Sequence, residues 1–238
     1  MVTRLSVNIN KIALIRNSRK GNYPDLIKLA QDCERFGADG ITVHPRPDQR
    51  HIRFSDIPAL KQVIKTEFNI EGYPSKHFID LVCTNKPDQV TLVPDAPNVL
   101  TSDQGWDVKY NKSLLEESIA EFKKRGIRVS LFLDPDTEMV ELARDVGADR
   151  IELYTGPYSW NYAADRNSQI KLHIDAATKC IELGLGINAG HDLNLQNLGF
   201  YKVQLPRLDE VSIGHALITD AIYFGLENAI LMYKKCLK

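Results

Sequence analysis

The chain has 238 residues, of which 43% are hydrophobic and 26% are charged, and its formal net charge at pH 7 is −1. This balance provides enough apolar material for a sizeable core and argues against an intrinsically disordered chain. Without a net positive charge the chain has no global field to attract nucleic acid or an anionic membrane, so we expect neither as a partner and expect any anion site to be local.

The cysteines and the amino-terminal residues favour a particular cellular location. The four cysteines, at positions 33, 83, 180 and 236, lie far apart and form no CxxC pair, so we expect free thiols in a reducing cytoplasm. The first residues lead into a short β-like run rather than the apolar segment of a signal peptide. No stretch is apolar enough to span a membrane, and we therefore expect a cytoplasmic protein.

Eight short runs rich in β-branched residues alternate with longer amphipathic stretches. The runs lie at 5–9, 40–44, 67–71, 89–93, 127–133, 149–154, 185–188 and 210–213. Helical patterns at 24–36, 114–125, 138–146 and 170–183 each end at a glycine. Repeated βα units without a linker predict one α/β domain over residues 1–238, a (β/α)8 TIM barrel with extra short helices. An open, doubly wound sheet is the alternative fold.

Polar residues are concentrated where these predicted strands end. In a (β/α)8 barrel the active site lies at the carboxyl ends of the strands, so such residues are candidates for a geometric reason. In chain order they are Asn8, Asn10, His44, Arg46, Glu71, Thr101 in the loop after strand four, Asp134, Glu152, His191, Gly214 and His215. Their convergence predicts one pocket.

Three of these residues suit proton transfer. His44 ends strand two and precedes a proline-bracketed loop rich in arginine and histidine, which suits acid/base work and phosphate binding. Glu71 at the barrel mouth is expected to have a raised pKa. Glu152 lies within its strand and could point inward, where it would need a partner, or outward. The structural alternatives are a histidine that only caps a strand and glutamates that only pair with arginines.

Two glycine-histidine pairs predict a phosphate site. Asn188-Ala-Gly-His191 and Ser212-Ile-Gly-His215 end strands seven and eight, where barrels commonly hold phosphate at a helix N-terminus. Arg19, in the long loop expected after strand one, could fold over a second phosphate. Its neighbours Arg16 and Lys20 are expected to face solvent.

Eight strings carry a resemblance to a known family: Val7-Asn-Ile-Asn10, Arg16-Asn-Ser-Arg19, Gly37-Ala-Asp-Gly-Ile-Thr-Val-His44, Arg50-His-Ile52, Asn69-Ile-Glu71, Leu92-Val-Pro94, Asn188-Ala-Gly-His191 and Ile213-Gly-His-Ala216. In number and order they resemble the pyridoxine 5'-phosphate synthases from one terminus to the other. The resemblance implies a transferase that condenses 1-deoxy-D-xylulose 5-phosphate with 3-amino-2-oxopropyl phosphate, giving pyridoxine 5'-phosphate, phosphate and water without a metal or organic cofactor.

The resemblance also implies roles for individual residues. By matching motif, His44 and Glu71 are similar to the family's proton acceptors, His191 to its proton donor and Glu152 to the residue that stabilises a transition state. The implied aminoketone phosphate site comprises Asn8, Arg19, Gly214 and His215, and the implied sugar phosphate site comprises Arg46, His51 and Thr101. The family further implies a homo-octamer, built as a tetramer of dimers.

The chain departs from the family at two substrate-binding positions. Many members have Asp-His where this chain has Asn10-Lys11, so a neutral amide and a fixed cation replace a carboxylate and an imidazole. Asp192 stands where many members have glycine. A phosphate contact at Asp192 would have to come from its backbone N–H, with the carboxylate turned away.

Other functions remain open on the residues alone. A metal-dependent barrel hydrolase could use His44, Glu71, His191 and Asp134, although no HxH pair ends strand one and no HExxH helix occurs. A phosphosugar aldolase or epimerase would need a Schiff-base lysine at a strand end, for which Lys11 is the nearby residue. A phosphate-binding protein without catalysis is the remaining alternative.

Overall fold

The computed structural model describes residues 2–95 and 102–238, and in these ranges eight parallel strands close into a barrel in sequence order. They are β1 (Arg4–Asn8), β2 (Gly40–Val43), β3 (Glu67–Gly72), β4 (Gln89–Leu92), β5 (Arg128–Leu133), β6 (Arg150–Tyr154), β7 (Gly186–Gly190) and β8 (Glu210–Ile213). The predicted barrel is confirmed, and the open sheet is wrong because β1 pairs with both β2 and β8.

Helices surround the barrel and follow most of its strands. They are α1 (Asn10–Asn17), α2 (Leu26–Arg35), α3 (Asp56–Val63), α4 (Lys76–Asn85), α5 (Lys112–Lys123), α6 (Thr137–Asp145), α7 (Gly156–Trp160), α8 (Tyr162–Leu183), α9 (Leu198–Gln204), α10 (His215–Phe224) and α11 (Leu226–Cys236). None of these helices is long and apolar enough to cross a membrane.

The predicted helix stops are confirmed by backbone conformation. Gly37, Gly126, Gly147 and Gly184 all have positive φ angles, which glycine adopts without the penalty that a Cβ imposes. At the other end, the Asp25 carboxylate accepts hydrogen bonds from the backbone N–H groups of Ile27 and Lys28 at 2.9 and 3.1 Å and so caps α2. Local residue choice therefore sets where these helices begin and end.

The inside of the barrel is polar, unlike the branched apolar filling typical of this fold. The Ser6 and Thr42 hydroxyls are 2.7 Å apart, and Asn69 joins them by donating to Thr42 over 3.3 Å. The apolar residues that alternate with them, such as Val7 and Ile41, are fully buried and belong to the main hydrophobic core. The core thus lies between barrel and helices, and the barrel interior is left for hydrogen-bonding groups.

Charged side chains close the amino-terminal end of the barrel. Glu67 contacts Arg4 at 2.7 Å and also pairs with Arg128, while Glu210 lies 3.5 Å from Arg4 and 3.7 Å from Arg150. Burial acts to raise the pKa of Glu67, but the hydrogen bond with Glu210 and the Arg128 charge outweigh it and lower that pKa. The five side chains form one ion network.

Helix α1 replaces the long loop expected after strand one. Its Arg16 is 1% exposed, so the expectation that Arg16 faces solvent is wrong. The guanidinium makes a two-pronged contact with the Asp56 carboxylate, at 2.8 and 2.9 Å, and donates to the His51 carbonyl oxygen at 3.1 Å. Lys20 is exposed, as expected. Arg16 therefore ties α1 to the loop that follows β2 and to α3.

Candidate active site

A cavity of about 490 Å³ is open at the carboxyl ends of the strands. Its wall includes twelve residues that the sequence or the resemblance singled out, namely Asn8, Asn10, Lys11, His44, Arg46, His51, Glu71, Glu152, His191, Asp192, Gly214 and His215. Arg19 is exposed after the end of α1 and does not line this cavity. Thr101 lies outside the described residues. Most of the predicted strand-end residues thus share this cavity, although Asp134 does not line it, and a second cavity of about 500 Å³ shares His44 and Arg46 with it.

The corner between β1 and β2 is fixed by two asparagines. The Asn8 side-chain oxygen accepts the Asn10 backbone N–H at 3.0 Å, and the Asn10 side-chain oxygen accepts the His44 backbone N–H at 2.9 Å. The Asn8 amide nitrogen lies 3.4 Å from Glu71 Oε2. This short chain of hydrogen bonds sets the relative positions of two proton-transfer candidates, His44 and Glu71.

His44 and Glu71 face each other, with 4.0 Å between His44 Nδ1 and Glu71 Oε2. Burial, followed by the charges of Arg46 and other cations in the loop, lowers the pKa of His44 well below its usual value. Burial, reinforced by Asp95, raises the pKa of Glu71 to about 8, in agreement with the expectation for a carboxyl at the barrel mouth. The pair therefore offers a neutral imidazole and a carboxyl that titrates near neutrality.

Glu152 points into the barrel and is 3% exposed. Burial, and then the neighbouring Glu71, raise its pKa well above the usual range, and its Oε2 has no hydrogen-bond partner among the described residues. A Cβ built on Gly190 would lie 2.0 Å from Glu152 Oε1, so this carboxyl occupies the space that a side chain on β7 would need. Glu152 is set up as a protonated acid facing the cavity.

The loop after β2 places a cation and an imidazole at one side. Arg46 is 4% exposed and contacts Asp95 Oδ2 at 2.5 Å, and the Ser102 hydroxyl donates to the same oxygen at 2.7 Å. His51 Nδ1 accepts the Ile52 N–H at 2.9 Å, and burial and nearby cations lower the pKa of His51 to about 4. His51 is therefore neutral with its proton on Nε2, a donor suited to a phosphate oxygen.

Asp95 and Ser102 were not identified from the sequence. Asp95 directly follows the Leu92-Val-Pro94 string at the end of strand four, so its location at a strand end could have marked it. Ser102 lies in a loop whose path no local pattern specifies.

His191 and Asp192 form a contact at the end of β7. His191 Nδ1 and Asp192 Oδ2 are 2.9 Å apart, and both residues have positive φ angles, 72° and 31°. The ring of Tyr154, at the end of β6, lies edge-on to the His191 ring, with 5.5 Å between centroids. The Thr155 hydroxyl contacts the carbonyl oxygens of Gly190 and His191 at 2.8 and 2.7 Å. Tyr154 and Thr155 were also missed, although both follow Glu152 closely in the sequence.

Gly214 and His215 begin α10 beside the cavity. A Cβ on Gly214 would lie 3.0 Å from the Asn8 Cβ, so glycine lets the start of α10 approach β1 closely. The positive end of the helix dipole and its unpaired backbone N–H groups favour an anion at this point. Lys11, exposed at the rim of the same cavity, adds a cation on that side.

The metal-dependent hydrolase gains no geometric support in residues 2–95 and 102–238, whereas Lys11, the lysine that an aldolase would need, does line the cavity. No group of three or more His, Cys, Asp or Glu side chains there is arranged to hold a metal ion. Asp134, one of the residues considered as a ligand, accepts the Gly105 N–H at 3.0 Å instead.

Comparison with known proteins adds independent information. A family model described as "Pyridoxal phosphate biosynthesis protein PdxJ" matches residues 5–238. The chain is 62% identical over 237 residues to pyridoxine 5'-phosphate synthase of Cytophaga hutchinsonii, covering 100% of each chain. It is 59% identical over 236 residues to that of Parabacteroides distasonis, covering 99% of each.

Solved structures of lower identity share the fold. A 4-hydroxy-2-oxoglutarate aldolase from TTHB1 superposes with a TM-score of 0.64 at 16% identity, covering 100% of this chain and 96% of the other. Tryptophan synthase from M. tuberculosis superposes with a TM-score of 0.64 at 10% identity, covering 100% and 94%. At such identities the likeness concerns the barrel alone.

Proposed function

This chain belongs to the pyridoxine 5'-phosphate synthase family, and from that premise we propose the reaction that its pocket carries out. The cavity condenses 1-deoxy-D-xylulose 5-phosphate with 3-amino-2-oxopropyl phosphate to give pyridoxine 5'-phosphate, phosphate and water. Residues 1–238 act as one catalytic domain. The reaction requires no metal or organic cofactor, because its steps are additions, eliminations and proton transfers that side chains can perform.

One observation supports this proposal above the others. Four groups able to transfer protons, each on or directly after a different strand, line a single cavity: His44, Glu71, Glu152 and His191. An amine must attack a ketone, water and phosphate must leave, and carbon acids must lose protons, so the reaction needs several such groups in one pocket. Binding alone would not require them.

The proposed roles follow from the ionisation of each group. Neutral His44 has a lone pair and accepts the first proton. Glu71, with its pKa raised to about 8, exchanges protons near neutrality and acts as the second acceptor. Glu152, kept protonated by burial, donates a hydrogen bond to charge that develops in the transition state. His191 returns a proton to the departing group.

Two anion sites hold the substrates at opposite sides of the pocket. Arg46, His51 and Thr101 hold the sugar phosphate, with Asn10 and Lys11 beside its hydroxyl groups. Asn8, Gly214 and His215 hold the aminoketone phosphate, and the backbone N–H of Asp192 adds a donor. The start of α10 supports the second site because a helix N-terminus favours an anion.

Arg19 belongs to the second anion site only in an assembly. It is exposed and outside the cavity of its own chain, so a second copy must bring it to a pocket. Exposed apolar side chains accompany it on α1 and α10, including Leu14 at 44%, Ile222 at 73% and Tyr223 at 80%. Such a surface favours contact with another protein. We assign the assembly as a homo-octamer, a tetramer of dimers.

The cytoplasm is the proposed location. All four cysteines are free thiols, which fits a reducing compartment.

Turnover with both phosphorylated substrates, in the presence of a chelator, tests the proposed reaction. We expect pyridoxine 5'-phosphate and released phosphate, and a loss of kcat of at least about 10²-fold in His44→Ala and in Glu71→Gln. Folded wild-type protein that forms no product would refute the reaction. Trapping of substrate on Lys11 by borohydride would favour an aldolase instead.

A further inference from the structure

We propose that the Asp192 carboxylate is a positioning group for His191, accepting the Nδ1 proton and so presenting Nε2 as the atom that exchanges protons with substrate. This inference rests on the proposed role of His191 as proton donor. It assigns the side chain of Asp192 a task separate from the substrate contact of its backbone.

Direct contact is the first observation. Asp192 Oδ2 lies 2.9 Å from His191 Nδ1, the distance of a charge-assisted hydrogen bond. Both residues line the cavity, and their side chains are only 28% and 25% exposed. In a neutral imidazole one nitrogen donates and the other accepts, so a carboxylate at Nδ1 selects the tautomer whose lone pair is on Nε2.

The backbone holds the two side chains in this relation. Both residues adopt the left-handed region, with φ of 72° and 31°, which is costly for residues with a Cβ. Two hydroxyl groups stabilise the turn: Thr155 Oγ1 contacts the His191 carbonyl oxygen at 2.7 Å, and Ser159 Oγ contacts the Asp192 carbonyl oxygen at 2.8 Å. Side chains of α7 and the segment before it therefore fix the geometry.

Tyr154 restrains the same imidazole from another direction. Its ring is 5.5 Å from the His191 ring, at an interplanar angle of 78°. Tyr154 is 2% exposed and packs against Phe132, so it has little freedom to move. A hydrogen bond at Nδ1 and an edge-to-face contact together define the orientation of the ring.

The negative charge of Asp192 is the last observation that supports its role beside His191. The hydrogen bond with His191 is the main cause that lowers the pKa of Asp192, with His215 and Trp160 contributing, and burial opposes them. Asp192 is therefore an anion at neutral pH. An anion at Nδ1 orients the ring so that Nε2 faces the substrate, as a carboxylate does for histidine in hydrolytic triads.

Nitrogen-15 NMR of the substrate-free enzyme tests the geometry, with His191→Gln used to assign the resonances. In the wild type we expect the neutral ring to carry its proton on Nδ1. In Asp192→Gly we expect the Nε2–H tautomer to predominate, and glycine also suits the positive φ at this position, so the variant should fold. An unchanged tautomer in Asp192→Gly would overturn the proposal. His191→Gln should raise the pKa of Asp192 in a carbon-13 titration.

Kinetics test the consequence for catalysis. We expect Asp192→Gly and Asp192→Asn to lower kcat by about tenfold, a part of the roughly 10²-fold or more that a positioned acid contributes, with KM for both substrates little changed. Asparagine keeps an acceptor oxygen without the charge, so it should preserve the tautomer. A raised KM at constant kcat would overturn the proposal and make Asp192 a substrate-binding residue only.

A matched control is Asp145→Asn, which removes an exposed carboxylate at the end of α6. Its kcat should equal that of the wild type. Because the NMR experiment needs no turnover, a wild-type enzyme that forms no pyridoxine 5'-phosphate would refute the proposed reaction and leave the tautomer result to be judged by itself.

Discussion

The pKa of a buried glutamate is shifted in opposite directions at the two ends of the barrel. Glu67 and Glu71 are four residues apart on β3 and point to the same face of the strand. At the amino-terminal end arginine contacts and the hydrogen bond with Glu210 lower the pKa of Glu67, whereas at the carboxyl end burial and Asp95 raise that of Glu71 to about 8. The balance between burial and the partners that oppose it, rather than residue type or strand, decides which of these two carboxyls is a structural anion.

This difference means that the amino-terminal end of the barrel contributes to stability, whereas the carboxyl-terminal end provides the groups for chemistry. Arg4 and Arg128 compensate the Glu67 carboxylate at the amino-terminal end, whereas burial and then Glu67 itself raise the pKa of the neighbouring Glu210 well above its usual range. At the other end Glu152 Oε2 lacks a partner in the part of the chain that the structure describes. A buried polar atom without a partner costs free energy and persists where a function requires it.

Glu71→Gln gives the sharpest test of the comparison. We expect kcat to fall by about 10²- to 10⁴-fold, because the proton acceptor is lost. We expect the melting temperature to stay the same or rise, because an ionisable group that is costly to bury is removed. Steady-state turnover and thermal unfolding measure the two effects. A marked loss of stability with kcat intact would reverse the assignment of the two ends.

Glu67→Gln should do the opposite. Removing the acid leaves Arg4 and Arg128 without the carboxylate that they contact most closely. We expect a cost at or below the lower end of the roughly 3 to 5 kcal/mol typical of broken buried pairs, since both arginines are partly exposed and Glu210 remains 3.5 Å from Arg4. Urea unfolding gives this free energy. If kcat of the folded variant changed by more than a few fold, the separation between the two ends would not hold.

Gly190→Ala probes the crowding around Glu152. The added Cβ would lie 2.0 Å from Glu152 Oε1, so either the carboxyl or β7 must shift. We expect a loss of about 1 to 3 kcal/mol in stability and a fall in kcat, because the acid is displaced from the cavity. Gly199→Ala is the control, since a Cβ there has no heavy atom within 4 Å. Equal effects of the two substitutions would show that Glu152 tolerates displacement.

The pH dependence of unfolding tests the same comparison through its slope, which is smaller per pH unit than the effects expected of the substitutions. The folded-state pKa of Glu71, about 8, exceeds the value of 4.5 for an unperturbed glutamate, so the native state holds a proton that the unfolded state releases between these pH values. Its contribution to the free energy of unfolding therefore declines as pH rises from about 5 to 8, by at most about 1.4 kcal/mol per pH unit. Glu71→Gln should remove this part of the slope, and parallel wild-type and variant curves would contradict it.

The sequence predicts the barrel well because its evidence is local. Strand runs and glycine stops appear within a few residues of each other, and strands β2, β3, β4 and β8 begin where predicted. The cavity follows from the rule that strand ends meet, which is why the sequence places His44 and His191 in its wall. Family membership, in contrast, is carried by the eight motifs and not by the spacing of strands and helices.

The features that could not be predicted from the sequence depend on contacts between residues far apart in the chain. The inward direction of Glu152 is possible because β7 has a glycine at position 190, and the burial of Arg16 requires Asp56, forty residues away. Arg19 carries the expected charge, but its backbone lies beyond the end of α1, away from the cavity. No periodicity in the sequence reports which residues of separate segments will meet.

The contact between Arg16 and Asp56 also constrains how this chain can change over generations. Loss of either partner alone leaves a charge in a region that water barely reaches, and α1, which begins at the pocket residue Asn10, loses its anchor. Substitutions at positions 16 and 56 are therefore expected to occur together or not at all. We therefore expect two positions outside the cavity wall to evolve as one unit.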